Sequence, residues 1–153
     1  MKVVVDTNII FSAILNSDGK IGDLLLNSGK YIEFYSADYL RYELNIHHEK
    51  LSKISKQPIS KIIQTEYFIT RSVKFISEEQ IAENIWRSAF TLVKEVDLDD
   101  IAFVALSKYL RCKLWTGDRV LIRGLEKHGF KNIITTDELL NYRTELEKKT
   151  EKK

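Results

Sequence analysis

Short runs with strand character recur along the chain at Val3–Val5, Ile32–Tyr35, Val73–Ile76, Lys113–Trp115 and Ile133–Ile134, and between them the sequence changes to helical spacing. Parallel strands need a crossover of a dozen or more residues, usually a helix, so this alternation predicts an α/β domain. Its central β-sheet is expected to be mostly parallel and flanked by helices. A chain of 153 residues with 44% hydrophobic content can fill one core. There is no internal repeat, long linker or low-complexity block, so one domain is expected over residues 1–147. Residues 148–153, rich in Lys and Glu, are expected to form a frayed charged tail.

The helical segments are read as residues 8–15 and about 20–28, broken by Asp18-Gly19. A longer one spans Asp38–Leu51, where Leu40, Leu44, His47 and Leu51 form a stripe. Pro58 suits the first turn of a helix running to Thr70. Ser77-Glu78-Glu79-Gln80 resembles a capping box opening a helix that reaches Val93. Three more are expected at Asp99–Leu110, Val120–Lys127 and Asp137–Glu147.

The acids fall where such a fold would use them. Open parallel sheets bind ligands outside the carboxyl ends of their strands. Asp6 ends the first run, Asp118 follows the run at Lys113–Trp115, and Asp99 and Asp100 open the helix leading into that run. Glu43 flanks the apolar stripe near the start of its helix. Each acid has a plainer reading: Asp6 and Asp118 as N-caps, Asp97 and Asp99 as capping or dipole residues, Glu43 as an exposed helix acid. Convergence on one crevice is what separate caps would not produce. Two like charges about 4 Å apart repel by roughly 4 kcal/mol at an effective dielectric of 20. Clustered carboxylates must therefore be protonated, paired with Lys or Arg, or bound to a cation. An all-oxygen set selects Mg²⁺ or Mn²⁺, ions that assist phosphodiester hydrolysis.

The formal net charge of +2 conceals an uneven distribution. Of 24 Lys and Arg and 22 Asp and Glu, four lysines and one glutamate lie in residues 148–153, leaving 20 basic against 21 acidic groups in the body. That is no globally basic nucleic-acid binder. Setting aside Asp6, Glu43, Asp100 and Asp118 leaves 20 basic against 17 acidic groups, a modest basic excess around an acidic focus.

These segments resemble the PIN domain nucleases, a family that includes the VapC-type toxins of toxin–antitoxin pairs. The likeness rests on Val3-Val4-Val5-Asp6-Thr7-Asn8, on Glu43 within Tyr39–Leu44, on Asp99–Leu106, and on Leu114-Trp115-Thr116-Gly117-Asp118. The resemblance implies a single PIN-like domain and a Mg²⁺- or Mn²⁺-dependent endoribonuclease. It assigns the metal to Asp6, Glu43 and Asp100, with Asp118 completing the site and Asp99 as an alternative to Asp100. Asn8 and Thr116 would orient these carboxylates. Water would attack the phosphorus in line and the 3′ oxygen would leave. Arg41, Arg119 and Arg123 are candidate phosphate contacts, though each is also readable as solvated surface charge. An RNA substrate, an antitoxin partner and a homodimer are the implied associations.

Two other classes compete. A binding module that kept the fold and uses its acids only as caps would not bind Mn²⁺. An aspartyl-phosphate enzyme of the haloacid dehalogenase type needs a second aspartate where Asn8 stands. Among the remaining polar groups, His47 is read as packed, Cys112 as buried, and Trp86 and Trp115 as core. His47 and His48 are adjacent, so they cannot form a metal pair on one helix face. The single cysteine excludes a disulfide framework. The uncharged run Thr7–Ser17 is too short to span a bilayer, and Asp6 and Asn8 interrupt any leader-like segment. A cytoplasmic protein without a membrane segment is the expectation.

Overall fold

A computed structural model describes all residues, Met1–Lys153. Five strands form one sheet: β1 (Lys2–Val5), β2 (Glu33–Ala37), β3 (Val73–Ile76), β4 (Lys113–Trp115) and β5 (Ile133–Ile134). Their order is β3-β2-β1-β4-β5 and every pairing is parallel. The strands read as continuous apolar runs because parallel sheets are covered on both faces. Val3, Val4, Val5, Leu114 and Trp115 are all fully buried.

Nine α-helices surround the sheet: α1 (Thr7–Leu15), α2 (Lys20–Asn27), α3 (Tyr39–Ile46), α4 (His48–Ser55), α5 (Ile59–Thr70), α6 (Glu83–Val93), α7 (Ile101–Leu110), α8 (Arg119–Lys127) and α9 (Thr136–Glu151). α7 packs on β1, β2 and β4, and α6 lies against α7. Ala102–Ser107 is buried without a break, which explains why that stretch is apolar around the whole helix. No helix is long and apolar enough to cross a membrane.

Several helix boundaries depart from expectation for local reasons. The segment expected as one helix from Asp38 to Leu51 is two, because His47 leaves the helical region at φ −108° and ψ 8°. Its amide is shared between the Glu43 and Leu44 carbonyls, and the His48 ring pairs with Glu66 on α5. Ser77 does accept from Glu79, but it caps a 3₁₀ turn at Glu78–Gln80, and α6 begins only at Glu83. A second 3₁₀ turn at Leu98–Asp100, capped by Asp97, precedes α7, which therefore starts after Asp100. Pro58 is the residue before α5 and not inside its first turn.

The tail expected to fray from residue 148 is helical to Glu151. A full capping box, Thr135 with Glu138, anchors the start of α9, and Lys148 and Lys149 suit the negative end of the helix dipole. Arg143, only 12% exposed at its side chain, ties the helix to Asp23 of α2 at 2.6 Å.

Candidate active site

The strand order reverses between β1 and β4, the position at which open α/β sheets form a crevice. Asp6 leaves β1 there as the N-cap of α1, its Oδ1 accepting from the Ile9 amide at 3.0 Å. Asp118 follows β4 and caps α8, its Oδ1 accepting from the Val120 and Leu121 amides. The capping readings of these two residues hold, yet each cap occupies only one carboxylate oxygen. The second oxygen of Asp6, Oδ2, is buried and makes no hydrogen bond of good geometry, although the Thr116 hydroxyl is close enough to ease the charge of this carboxylate. A buried unsatisfied polar atom is costly and rare in a native fold.

Three other acids are near enough to Asp6 to interact with it through charge. Asp100 closes the 3₁₀ turn before α7 and makes no capping hydrogen bond, so helix architecture does not use its carboxylate. Glu43 on α3 is half-buried, and the Thr7 hydroxyl donates to its Oε1 at 2.6 Å. This contact joins the first turn of α1 to α3 and fixes Glu43 beside the end of β1. The orienting task expected of Asn8 therefore has a different owner for Glu43: Asn8 is exposed, and its neighbour Thr7 makes the bond. Thr116 is fully buried, accepts from the Asp118 amide at 3.1 Å, and its hydroxyl also acts on Asp6. Asp97 and Asp99 are exposed; Asp97 caps the 3₁₀ turn through the Asp99 amide.

Burial and neighbouring charges raise the proton affinity of Asp6, Asp100 and Glu43. Burial pushes Asp6 up to about 6; the Thr116 hydroxyl and Ile9 amide offset part of this, while Asp118 and Glu43 add to it. Burial, followed by the charges of Asp6, Asp97, Asp118 and Glu43, pushes Asp100 up to about 7. Burial also raises Glu43, against the pull of the Thr7 hydrogen bond. Asp6, Glu43, Asp100 and Asp118 thus share one electrostatic field. None of the seven ion pairs in the chain includes any of the four, so no Lys or Arg neutralises them. Of the three remedies for clustered carboxylates, proton or cation remain. No three acid, His or Cys groups lie close enough to form a ready-made metal cage. The chemistry nevertheless fits a hard cation: oxygen donors only, an orphaned buried carboxylate oxygen, and no competing cationic side chain.

The arginines expected near phosphate are arranged unequally. The Arg41 guanidinium lies 3.9 Å from the centre of the Phe75 ring, while Arg119 and Arg123 are exposed on the first turns of α8, with Arg123 bonded to the Arg119 carbonyl. His47 packs edge-on against Phe11. Cys112 is half-buried, and burial pushes its thiol up to about 11. Trp115 is core, its indole bonded to Thr136, but Trp86 is only half-buried.

No curated protein matches the chain in sequence. Among solved structures, the crystal structure of VapBC2 from Rickettsia felis bound to a DNA fragment from their promoter contains a chain that superimposes with a TM-score of 0.70. The match covers 88% of this chain and 98% of that one at 12% identity, a likeness of fold. The family model described as PIN domain matches residues 4–148, from β1 through most of α9 and across every acid discussed above, and the chain belongs to the PIN domain family.

Proposed function

We propose that this protein is a metal-dependent endoribonuclease that hydrolyses RNA phosphodiester bonds. The observation that carries the reading is the buried Asp6 with its orphaned Oδ2, set in a field of three further carboxylates that no cationic side chain offsets. Asp6, Glu43 and Asp100 would hold Mg²⁺ or Mn²⁺, with Asp118 completing the set and Asp99 as the alternative to Asp100. When bound, such an ion supplies Lewis acidity toward water and toward a phosphoryl oxygen. Thr7 orients Glu43, the Ile9 amide holds Asp6, and the Val120 and Leu121 amides hold Asp118, so these carboxylates are positioned before any ligand arrives. Without a cation, burial and the neighbouring carboxylates push Asp100 up to about 7, so an ion held there would displace a proton from this carboxylate. Arg119, Arg123 and Arg41 are arginines near the motifs in sequence and would meet the phosphate backbone.

Purified protein should cleave RNA with Mg²⁺ or Mn²⁺, and both EDTA and Asp100→Asn should abolish the cleavage. Equal cleavage by wild type and that variant would overturn the assignment. The reading extends to a cytoplasmic toxin that works as a homodimer and is neutralised by an antitoxin. Exposed Ile46, Ile54, Ile63, Tyr67 and Phe68 on α3, α4 and α5 form apolar surface of the kind such partners cover. The VapBC2 likeness supports the antitoxin. A short neighbouring gene for a DNA-binding protein, and toxicity on induction that Asp6→Ala relieves, are the expected results.

A second reading is a catalytically inactive PIN-fold module that binds RNA or protein. The absence of a preformed three-ligand cage favours it. Calorimetry with Mn²⁺ separates the two, since the module would take up no ion.

A further inference from the structure

Beside the acids lies a cavity of about 560 Å³, between α3, the two 3₁₀ turns, α6 and the start of α7. Its walls include the rings of Tyr39, Tyr42 and Trp86, and the carboxylates of Asp38, Glu78 and Asp99. Two of these residues adjoin the active-site acids directly in sequence: Tyr42 precedes Glu43, and Asp99 precedes Asp100. Tyr39 and Tyr42 stack with ring centres 5.8 Å apart and planes inclined by 26°, leaving Tyr42 58% exposed. Glu78 is held in place by the Tyr39 amide, which donates to its Oε1 at 2.7 Å. No Lys or Arg lines the cavity.

We infer that this cavity receives one unstacked nucleobase of the RNA, and that it selects bases carrying an exocyclic amino group. The inference rests on the ribonuclease reading and names the substrate feature recognised next to the acids. Three observations converge. The volume falls within the roughly 300–1,000 Å³ typical of small-molecule sites. Exposed aromatic rings are the platforms on which single-stranded bases stack. The carboxylates, with no cation among them, repel a phosphate and accept hydrogen bonds from N–H donors. Adenine, cytosine and guanine present an amino group; uracil presents only its ring N–H. The same repulsion keeps the phosphates of the backbone outside the cavity when a base enters it. Trp86, expected from sequence to be core, is then the floor of a base site.

The test uses nucleosides, which lack phosphate, with metal-free wild-type protein in EDTA, so neither cleavage nor cation binding enters. The readout is the indole N–H resonance of Trp86 in a proton–nitrogen correlation spectrum, with that of buried Trp115 as internal control. Cytidine, adenosine and guanosine should shift Trp86 and leave Trp115 in place; uridine should bind several-fold more weakly than cytidine, and inosine more weakly than guanosine. Tyr42→Ala, at an exposed position that the fold does not require, should weaken cytidine binding by at least about fivefold, as loss of a stacking partner does. Trp86→Phe should retain binding that Trp86→Ala loses. Equal shifts from cytidine and uridine, or a silent Trp86 with every nucleoside, would overturn the inference. So would saturation of the cavity by a leucine-bearing peptide that the nucleosides fail to displace, which would mark a protein-docking pocket. RNA cleavage with a silent Trp86 refutes the base site alone. Nucleoside binding without RNA cleavage refutes the nuclease reading alone.

Discussion

Replacing Asp6 with Asn should make the metal-free protein more stable at alkaline pH, although Asp6 caps α1 and is part of the candidate catalytic set. Asn keeps a carbonyl oxygen to accept from the Ile9 amide, and it removes a buried charge. Moving the Asp6 pKa from its ordinary 3.8 to about 6 corresponds to about 3 kcal/mol. The sign follows from proton counting. Between the two values the folded chain keeps a proton that the unfolded chain has lost, so the contribution of Asp6 is fully present below pH 3.8 and is lost as pH rises through about 6. By pH 8 the wild type carries the full penalty and the variant does not. Allowing for the cost of burying an amide, the variant should gain about 1–3 kcal/mol at pH 8, or roughly 2–10 °C in Tm. The advantage should vanish near pH 4. Because the Asp6 charge also raises Asp100, the Asp100 pKa should fall in the variant. Thermal melts in EDTA across this pH range measure the first effect, and carbon-detected titration the second. Mn²⁺ at about 100 times its Kd should add about 2.7 kcal/mol to the wild type and little to the variant. A variant that is less stable than wild type by the same margin at pH 4 and pH 8 would refute the buried-charge argument.

Other perturbations test separate parts of the fold. Gly22 sits within α2, where Ala would ordinarily stabilise a helix by about 1 kcal/mol. A Cβ there would lie 2.2 Å from the Ser17 carbonyl oxygen, so Gly22→Ala should instead cost about 1–3 kcal/mol in urea denaturation, and a gain would refute the close approach. The hydrogen bond from Arg143 lowers the Asp23 pKa, the opposite direction to Asp6. Asp23→Asn should therefore cost about 1–2 kcal/mol at neutral pH, discounted for the exposure of Asp23, and the cost should fade as acid protonates the wild-type carboxylate. RNA affinity of Asp118→Asn should rise with Mg²⁺ and fall with added salt, because a bound cation offsets the acidic focus. Equal affinity with and without Mg²⁺, read by fluorescence anisotropy, would count against that.

What the sequence made legible is what local chemistry decides. Val3-Val4-Val5 before Asp6, and Leu114-Trp115 before Asp118, locate two strand ends and two caps, and the sheet order makes those strands neighbours. Local pattern also fixed the acids at helix starts, where they remain. The missed features depend on residues far apart in the chain. Beside the break at His47, the His48 ring pairs with Glu66 on another helix, 18 positions away. The bond from Thr7 to Glu43 crosses 36 positions, and nothing in the Thr7-Asn8 pair says which of the two turns inward. The cavity draws Tyr42, Trp86 and Leu98 from three elements, so periodicity alone assigns Trp86 to the core. The orphaned Oδ2 of Asp6 is visible only once every neighbour has been placed.

The central position of β1 also sets a timetable. Of the five strands this one is made first, yet one of its edges is completed only by β4, with Val4 paired to Leu114. Until that late segment emerges, the growing chain holds a strand open along one side, exposed to mispairing. Asp118 and the Thr116 hydroxyl arrive later still, so a chain interrupted anywhere before them has an unfinished sheet and an incomplete set of acids. The order of synthesis therefore withholds the finished crevice until most of the domain has been made.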